Sequence, residues 1–232
     1  MAVTMGETAA DYLNVNLGIG LTNTSLIMTA VLIAALVAQF QQKRYVPWSY
    51  WLAVVLISVV GTLITDNLVD NFGVPLIVTA VGFTIALAAT FAVWYASERT
   101  LSIHSIRTTR REAWYWLAIL FTFALGTAAG DLVAEKFGLG YMSTGILFGL
   151  IIATLSFGYF FLGLDAILGF WLVYILTRPL GASFGDLLSQ DHKFGGFGLG
   201  TIITSAVFLG AIILIVAYMS VTHDGEEPAV ED

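Results

Sequence analysis

The chain contains no cysteine, which removes disulfides, thiolate metal sites and cysteine nucleophiles together. Histidine is almost as scarce: His104, His192 and His223 all fall in connections or the tail, so no imidazole stands inside an apolar run to act as base or ligand. The three lysines, Lys43, Lys136 and Lys193, also lie in connections, and a retinal Schiff base is excluded with them. Charged residues make up 11 % of the 232, against 58 % apolar residues and a mean hydropathy of +0.89. That balance excludes a soluble domain and implies an integral membrane protein. No cleavable signal peptide is visible, because Glu7 and Asp11 stand where a basic region belongs, so internal helices are expected to direct insertion. The net charge of −7 owes much to Asp224, Glu226, Glu227, Glu231 and Asp232, read as an acidic disordered tail over 221–232.

What the chain does have is an internal repeat. Trp51, Gly61 and Asp66 stand at offsets 0, +10 and +15, and the same offsets return at Trp116, Gly126 and Asp131 and at Trp171, Gly181 and Asp186. Gly6 and Asp11 keep the Gly-to-Asp offset of a fourth copy whose Trp would precede Met1. The sequence is therefore expected to start inside its first repeat, with residues 2–13 forming a truncated helix of about 18 Å, short of a ~30 Å hydrocarbon core. Apolar runs at Leu21–Phe40, Tyr50–Val69, Leu76–Tyr95, Ala113–Val133, Ser143–Leu162, Ile167–Leu188 and Gly200–Met219 complete about eight helices. The predicted fold is an all-α polytopic membrane bundle. It consists of four parallel two-helix repeats, at about 1–46, 47–111, 112–166 and 167–220, in a single transmembrane domain. Lys43, Arg44, Arg99, Arg107, Arg110 and Arg111 crowd the connections on one side, against Lys136 and Lys193 on the other. The positive-inside rule then puts the Trp ends and both termini in the cytoplasm, with the protein in the plasma membrane.

On a helical wheel with the motif Gly at 0°, position +4 falls at about 40°, Trp at about 80°, +1 at about 100° and Asp at about 140°. Every repeated residue shares one arc. Positions 0 and +4 read Gly6/Ala10, Gly61/Thr65, Gly126/Gly130 and Gly181/Gly185, a small-xxx-small seam for close helix approach. Positions +1 and +5 read Glu7/Asp11, Thr62/Asp66, Thr127/Asp131 and Ala182/Asp186. Carboxylates inside a membrane need a partner, a cavity or a proton, and an oxygen-only set suits a hard cation such as Mg²⁺, Mn²⁺, Ca²⁺, Na⁺ or H⁺. If the four odd-numbered helices surround the repeat axis, these groups converge on one outward vestibule. Arg178 is the only basic residue inside an apolar run and is expected to form an intramembrane ion pair with a carboxylate, or else to tune the acids or bind an anion. Pro179 beside it is expected to kink its helix. Trp51, Trp116 and Trp171 are expected as interface anchors. Gly181-Ala182-Ser183-Phe184-Gly185 matches the Gly-x-Ser-x-Gly pattern, but the repeat already explains both glycines and no base is at hand, so no enzyme is expected.

The segments ALGTAAGDL, RPLGASFGDLL and GETAAD, with the basic connection RTTRREAWYW, resemble bacterial and archaeal membrane-anchored proteins built from four tandem copies of a repeat of unknown function. The resemblance implies two transmembrane segments and a recurrent Trp per copy, and it covers the chain except its acidic tail. It departs at the front, where that family has a full first helix. Two readings of the repeated face stay open. One is a transporter or channel for a hard cation, using Asp11, Asp66, Asp131, Asp186, Glu7, Thr62 and Thr127; the other is a non-transporting scaffold or sensor in which the same residues only pack and pair. No cofactor is expected beyond a metal cation on the first reading. The expected partners are the lipid bilayer and anionic lipid head groups at the Arg99–Arg111 connection, with no nucleic acid and no oligomeric state assigned.

Overall fold

The computed structural model describes residues 1–42 and 44–223. Lys43 and residues 224–232 lie outside the described residues, and with them most of the acidic tail. The described residues form eight α-helices: α1 (Ala2–Asp11), α2 (Leu21–Phe40), α3 (Pro47–Asp66), α4 (Leu76–Glu98), α5 (Thr109–Asp131), α6 (Gly140–Leu162), α7 (Ala166–Ser189) and α8 (Gly200–His223). All but α1 are long and apolar enough to cross a membrane, so this is a multi-pass membrane protein. Residues 221–223 continue α8 rather than opening a tail.

Several helices start before their apolar runs because polar or rigid residues close the first turn. Pro47 sits at the first turn of α3, the Thr108 hydroxyl accepts from the Arg111 amide at the start of α5, and the Asp165 carboxylate accepts from the Leu168 amide at the start of α7. The other ends carry a feature that the apolar pattern does not encode. In the first three repeats one π-helical turn follows the motif Asp directly, at Tyr12–Asn16, Asn67–Asn71 and Leu132–Lys136. Such turns widen the helix and free backbone groups, and they favour functional sites. In the fourth repeat α7 instead stops at Ser189, and residues 190–199 form a longer connection.

The odd-numbered helices form a closed inner ring in which α1 touches α3, α3 touches α5, α5 touches α7 and α7 touches α1. Each even-numbered helix lies outside, chiefly on the inner helix of the following repeat: α2 on α3, α4 on α5, α6 on α7 and α8 on α1. The four repeats therefore interlock as a ring instead of stacking as separate hairpins. The outer helices repeat as well, since each buries a threonine near its start, at Thr24, Thr79, Thr144 and Thr204.

The glycine seam lies at the ring's contacts. A Cβ at each motif Gly would strike the residue three positions before the motif Gly of the next repeat: Gly6 meets Ser58, Gly61 meets Phe123, Gly126 meets Arg178 and Gly181 meets Val3. Position +4 meets position −2 of the next helix in the same way. Thr65 donates to the Ala124 carbonyl, Gly130 lies against Pro179, and Gly185 lies against Thr4. Because 0 and +4 face one neighbour while −3 and −2 face the other, the direction midway, at about 65° on the wheel, points to the ring axis. Positions −3 and −10 point along it.

The seam carries a stability prediction. At Gly61 an added Cβ would come to 2.7 Å from Phe123 Cβ and 3.1 Å from the Ala124 amide nitrogen, whereas nothing stands within 4 Å at Gly82 on α4. Gly61→Ala should therefore cost about 1–3 kcal/mol through overpacking. Gly82→Ala should be neutral or gain up to about 1 kcal/mol from helix propensity. Thermal unfolding in detergent reads both, and equal effects at the two sites would contradict the seam.

Trp116 and Trp171 do not anchor the interface as expected. Trp116 and Trp171 are each only 4 % exposed, and Trp51 is half-buried. Position −10 faces the axis, so these rings pack on one another's neighbours at one end of the bundle. Trp171 lies edge-on to Phe91 at 4.8 Å and to Trp94 at 5.8 Å, and Tyr50 lies 5.5 Å from Trp116. The Tyr50 and Tyr115 hydroxyls share a 2.6 Å hydrogen bond across α3 and α5. The aromatic end of the bundle is a packed interior layer.

Candidate acidic site

At the opposite end the inner helices present their acidic positions. The carboxylates of Glu7 on α1, Asp131 on α5 and Asp186 on α7 each place an oxygen within 4.8 Å of the others. Glu7 and Asp186 are 7 % and 8 % exposed, while Asp131 is half-buried and lies next to its π turn. The other +1 side chains hold Glu7 in place. Thr62 donates to Glu7 Oε2 at 2.9 Å and Thr127 donates to the same oxygen at 3.1 Å, with the two hydroxyls 3.1 Å apart. Ala182, the fourth +1 residue, is fully buried and adds no oxygen. The set is lopsided, as the unequal +1 residues imply.

Asp11 and Asp66 stand outside the trio but near it. The charges of Glu7, Asp11, Asp70 and Asp186 all reach Asp66, and those of Asp70 and Glu135 reach Asp11. Asp70 and Glu135 were missed in the sequence, although both stand nine residues after a motif Gly, one turn beyond the motif Asp. Tyr141 donates to Glu135 at 3.2 Å and ties this rim to α6. Three acids at this spacing need a compensating positive charge or shared protons, and among the described residues no lysine or arginine pairs with them. Two hollows, of about 250 and 280 Å³, lie beside Trp114 and beside Thr4 and Phe208, and neither is lined by a member of the trio.

Arg178 corrects an expectation. Among the described residues it forms no ion pair; its guanidinium lies 3.9 Å over the Phe123 ring and 4.0 Å over the Tyr174 ring. Position −3 stands eight residues before the motif Asp, about 12 Å along the helix, which puts the motif Asp residues out of reach, and Glu7, at half that rise, is not paired with it either. Two π faces hold the cation instead. Pro179 lies within α7 without ending it and packs against Gly130 in the seam.

Two further groups carry chemistry elsewhere. Glu112 accepts from Trp116 Nε1 at 3.1 Å and from Gln39 at 3.2 Å, while Ser49 donates to Gln39 at 2.7 Å. In the basic connection Arg111 is tied to Glu98 at 2.8 Å and to the Ser105 carbonyl at 2.9 Å, and Arg110 lies 3.4 Å from Glu98. Arg99 and Arg107 are exposed. The Ser183 hydroxyl is buried and donates to the Pro179 carbonyl of its own helix at 2.8 Å.

Four successive stretches of the chain, 1–45, 49–100, 114–163 and 169–224, match one family, described as a Repeat of Unknown Function (DUF347). No curated protein and no solved structure matches the chain.

Proposed function

We propose that this chain, which belongs to the Repeat of Unknown Function (DUF347) family of membrane proteins, binds a hard cation at its acidic ring end and moves it across the membrane. The observation that carries this reading is the approach of Glu7, Asp131 and Asp186, from three different inner helices, to within 4.8 Å of one another inside an apolar bundle. Three carboxylates and two threonine hydroxyls offer only hard oxygen ligands, the set that Mg²⁺, Mn²⁺, Ca²⁺ or Na⁺ prefers. Asp11, Asp66, Asp70 and Glu135 add negative potential around the trio and raise the local cation concentration. The basic connections favour a cytoplasmic Trp end, with Arg99 and Arg107 free to meet anionic head groups.

The test is direct binding and flux with the full chain. Purified protein should bind Mn²⁺ or Ca²⁺ in calorimetry, and proteoliposomes carrying it should exchange the bound ion. Asp131→Asn and Asp186→Asn should abolish both while thermal stability stays within about 1 kcal/mol. Since carboxylates must be deprotonated to ligate, affinity should fall as pH is lowered. The competing scaffold reading draws on the satisfaction of Glu7 by Thr62 and Thr127. It predicts no binding of any tested cation, and Asn variants altered only in stability.

A further inference from the structure

Between the acidic end and the aromatic end, the ring axis passes one layer built from position −3 of each inner helix: Val3, Ser58, Phe123 and Arg178. All four are buried, at 8 %, 1 %, 2 % and 6 % exposure. Position −3 points at the axis, and the charge of Arg178 reaches Tyr174 on its own helix, Tyr115 on α5 and Tyr50 on α3. The guanidinium is thus central to the ring. It is sandwiched by Phe123 and Tyr174, has no anionic partner among the described residues, and leaves its Nε without a hydrogen-bond partner. Arginine keeps its charge where lysine does not. The layer of Glu7, Thr62 and Thr127 stands four residues further along, about 6 Å away.

We infer that Arg178 is the barrier of this protein: a fixed positive charge on the axis that keeps a cation held by the acidic trio from continuing toward the Trp end. Entry and exit in this conformation are then through the Asp end alone. The inference rests on the cation reading and adds to it the residue that sets the direction of access. The geometry accounts for two otherwise unconnected facts. A buried cation is retained without an ion pair because its charge acts on what lies on the axis, a use of arginine familiar from selective pores. It also breaks the repeat, where Val3, Ser58 and Phe123 stand at the equivalent positions, because one charge at the centre of a ring suffices. Toward the Trp end the axis-facing position −10 holds the buried Trp116 and Trp171, so removing the charge leaves only a neutral aromatic layer in the path.

The experiment uses the full chain in proteoliposomes, with Mn²⁺ as the probe and quenching of a trapped dye as readout. Arg178→Met keeps the bulk and removes the charge, and Arg178→Lys keeps a charge. Passive Mn²⁺ entry should rise at least tenfold in Arg178→Met and stay near the wild-type rate in Arg178→Lys. An Arg178→Met protein that is monodisperse, binds Mn²⁺ as wild type does and leaks no faster would overturn the barrier. Absence of Mn²⁺ binding by the wild type would instead overturn the cation reading, so the two failures are distinct. A second measurement leaves Arg178 in place and does not depend on that variant folding. Since the chain has no cysteine, Thr62→Cys supplies a single thiol at the acidic layer. A small cationic methanethiosulfonate should modify it from the Asp end only; modification from the Trp end, or from neither, overturns the inference.

Discussion

Glu7→Gln is expected to weaken cation binding by about 30-fold or more, because removing one member of a buried charged set costs about 2–5 kcal/mol. Glu7 is the axial member of the trio, and Oε2 is already fixed by Thr62 and Thr127. The two hydroxyls give their protons to that oxygen, so the carboxylate needs no rearrangement to accept a cation from the acidic side. Gln keeps the shape but brings an NH₂ group that donates where a ligand must accept. Thr62→Val should do less, about tenfold, since it removes one hydrogen bond to a charged group and leaves all three charges. Asp11→Asn, outside the trio, should cost less still and act through long-range potential that salt screens. Calorimetric titration of the three proteins with Mn²⁺ gives the order. Equal losses for Glu7→Gln and Asp11→Asn would mean that the cluster works as a diffuse acidic surface and not as a site.

Trp171→Ala is the substitution expected to damage the fold most. The indole touches Phe91, Trp94, Phe170 and Tyr174, with centroids 4.8–5.8 Å away, and its Nε1 donates to the Leu101 carbonyl at 2.9 Å. In a bilayer much of the hydrophobic transfer term is absent, because lipid tails are as apolar as the bundle interior. What remains is the cavity and the lost contacts, on the order of 3 kcal/mol for a side chain of this size. The hydrogen bond also secures the connection between α4 and α5, so protease cleavage within residues 99–108 should rise together with the drop in thermal midpoint. Trp48→Ala is the control: that indole is 55 % exposed, and its loss should stay within about 0.5 kcal/mol. A Trp171→Ala protein as stable as the Trp48→Ala protein would return Trp171 to the lipid interface.

Membrane character, helix number, the four repeats and the small-residue seam were all legible in the amino-acid order, since each rests on local periodicity or composition. A helix of apolar residues must satisfy its backbone internally wherever it ends up, and the 55- and 65-residue spacings of Gly6, Gly61, Gly126 and Gly181 carry the repeat without reference to any contact. The wheel also placed the Gly, Trp and Asp positions on one arc. What it could not give was the direction of the axis within that arc, which depends on which two faces meet neighbours. That is why Trp116 and Trp171 read as interface anchors and proved to be interior, and why Arg178 read as the partner of an acid and proved to lie between two rings. The π turns after Asp11, Asp66 and Asp131 leave no apolar signature either. Only the closed ring decides that Glu7, Asp131 and Asp186 meet while Asp11 and Asp66 stand aside, because four equivalent positions in sequence become inequivalent once one +1 residue is a carboxylate, two are hydroxyls and one is a methyl.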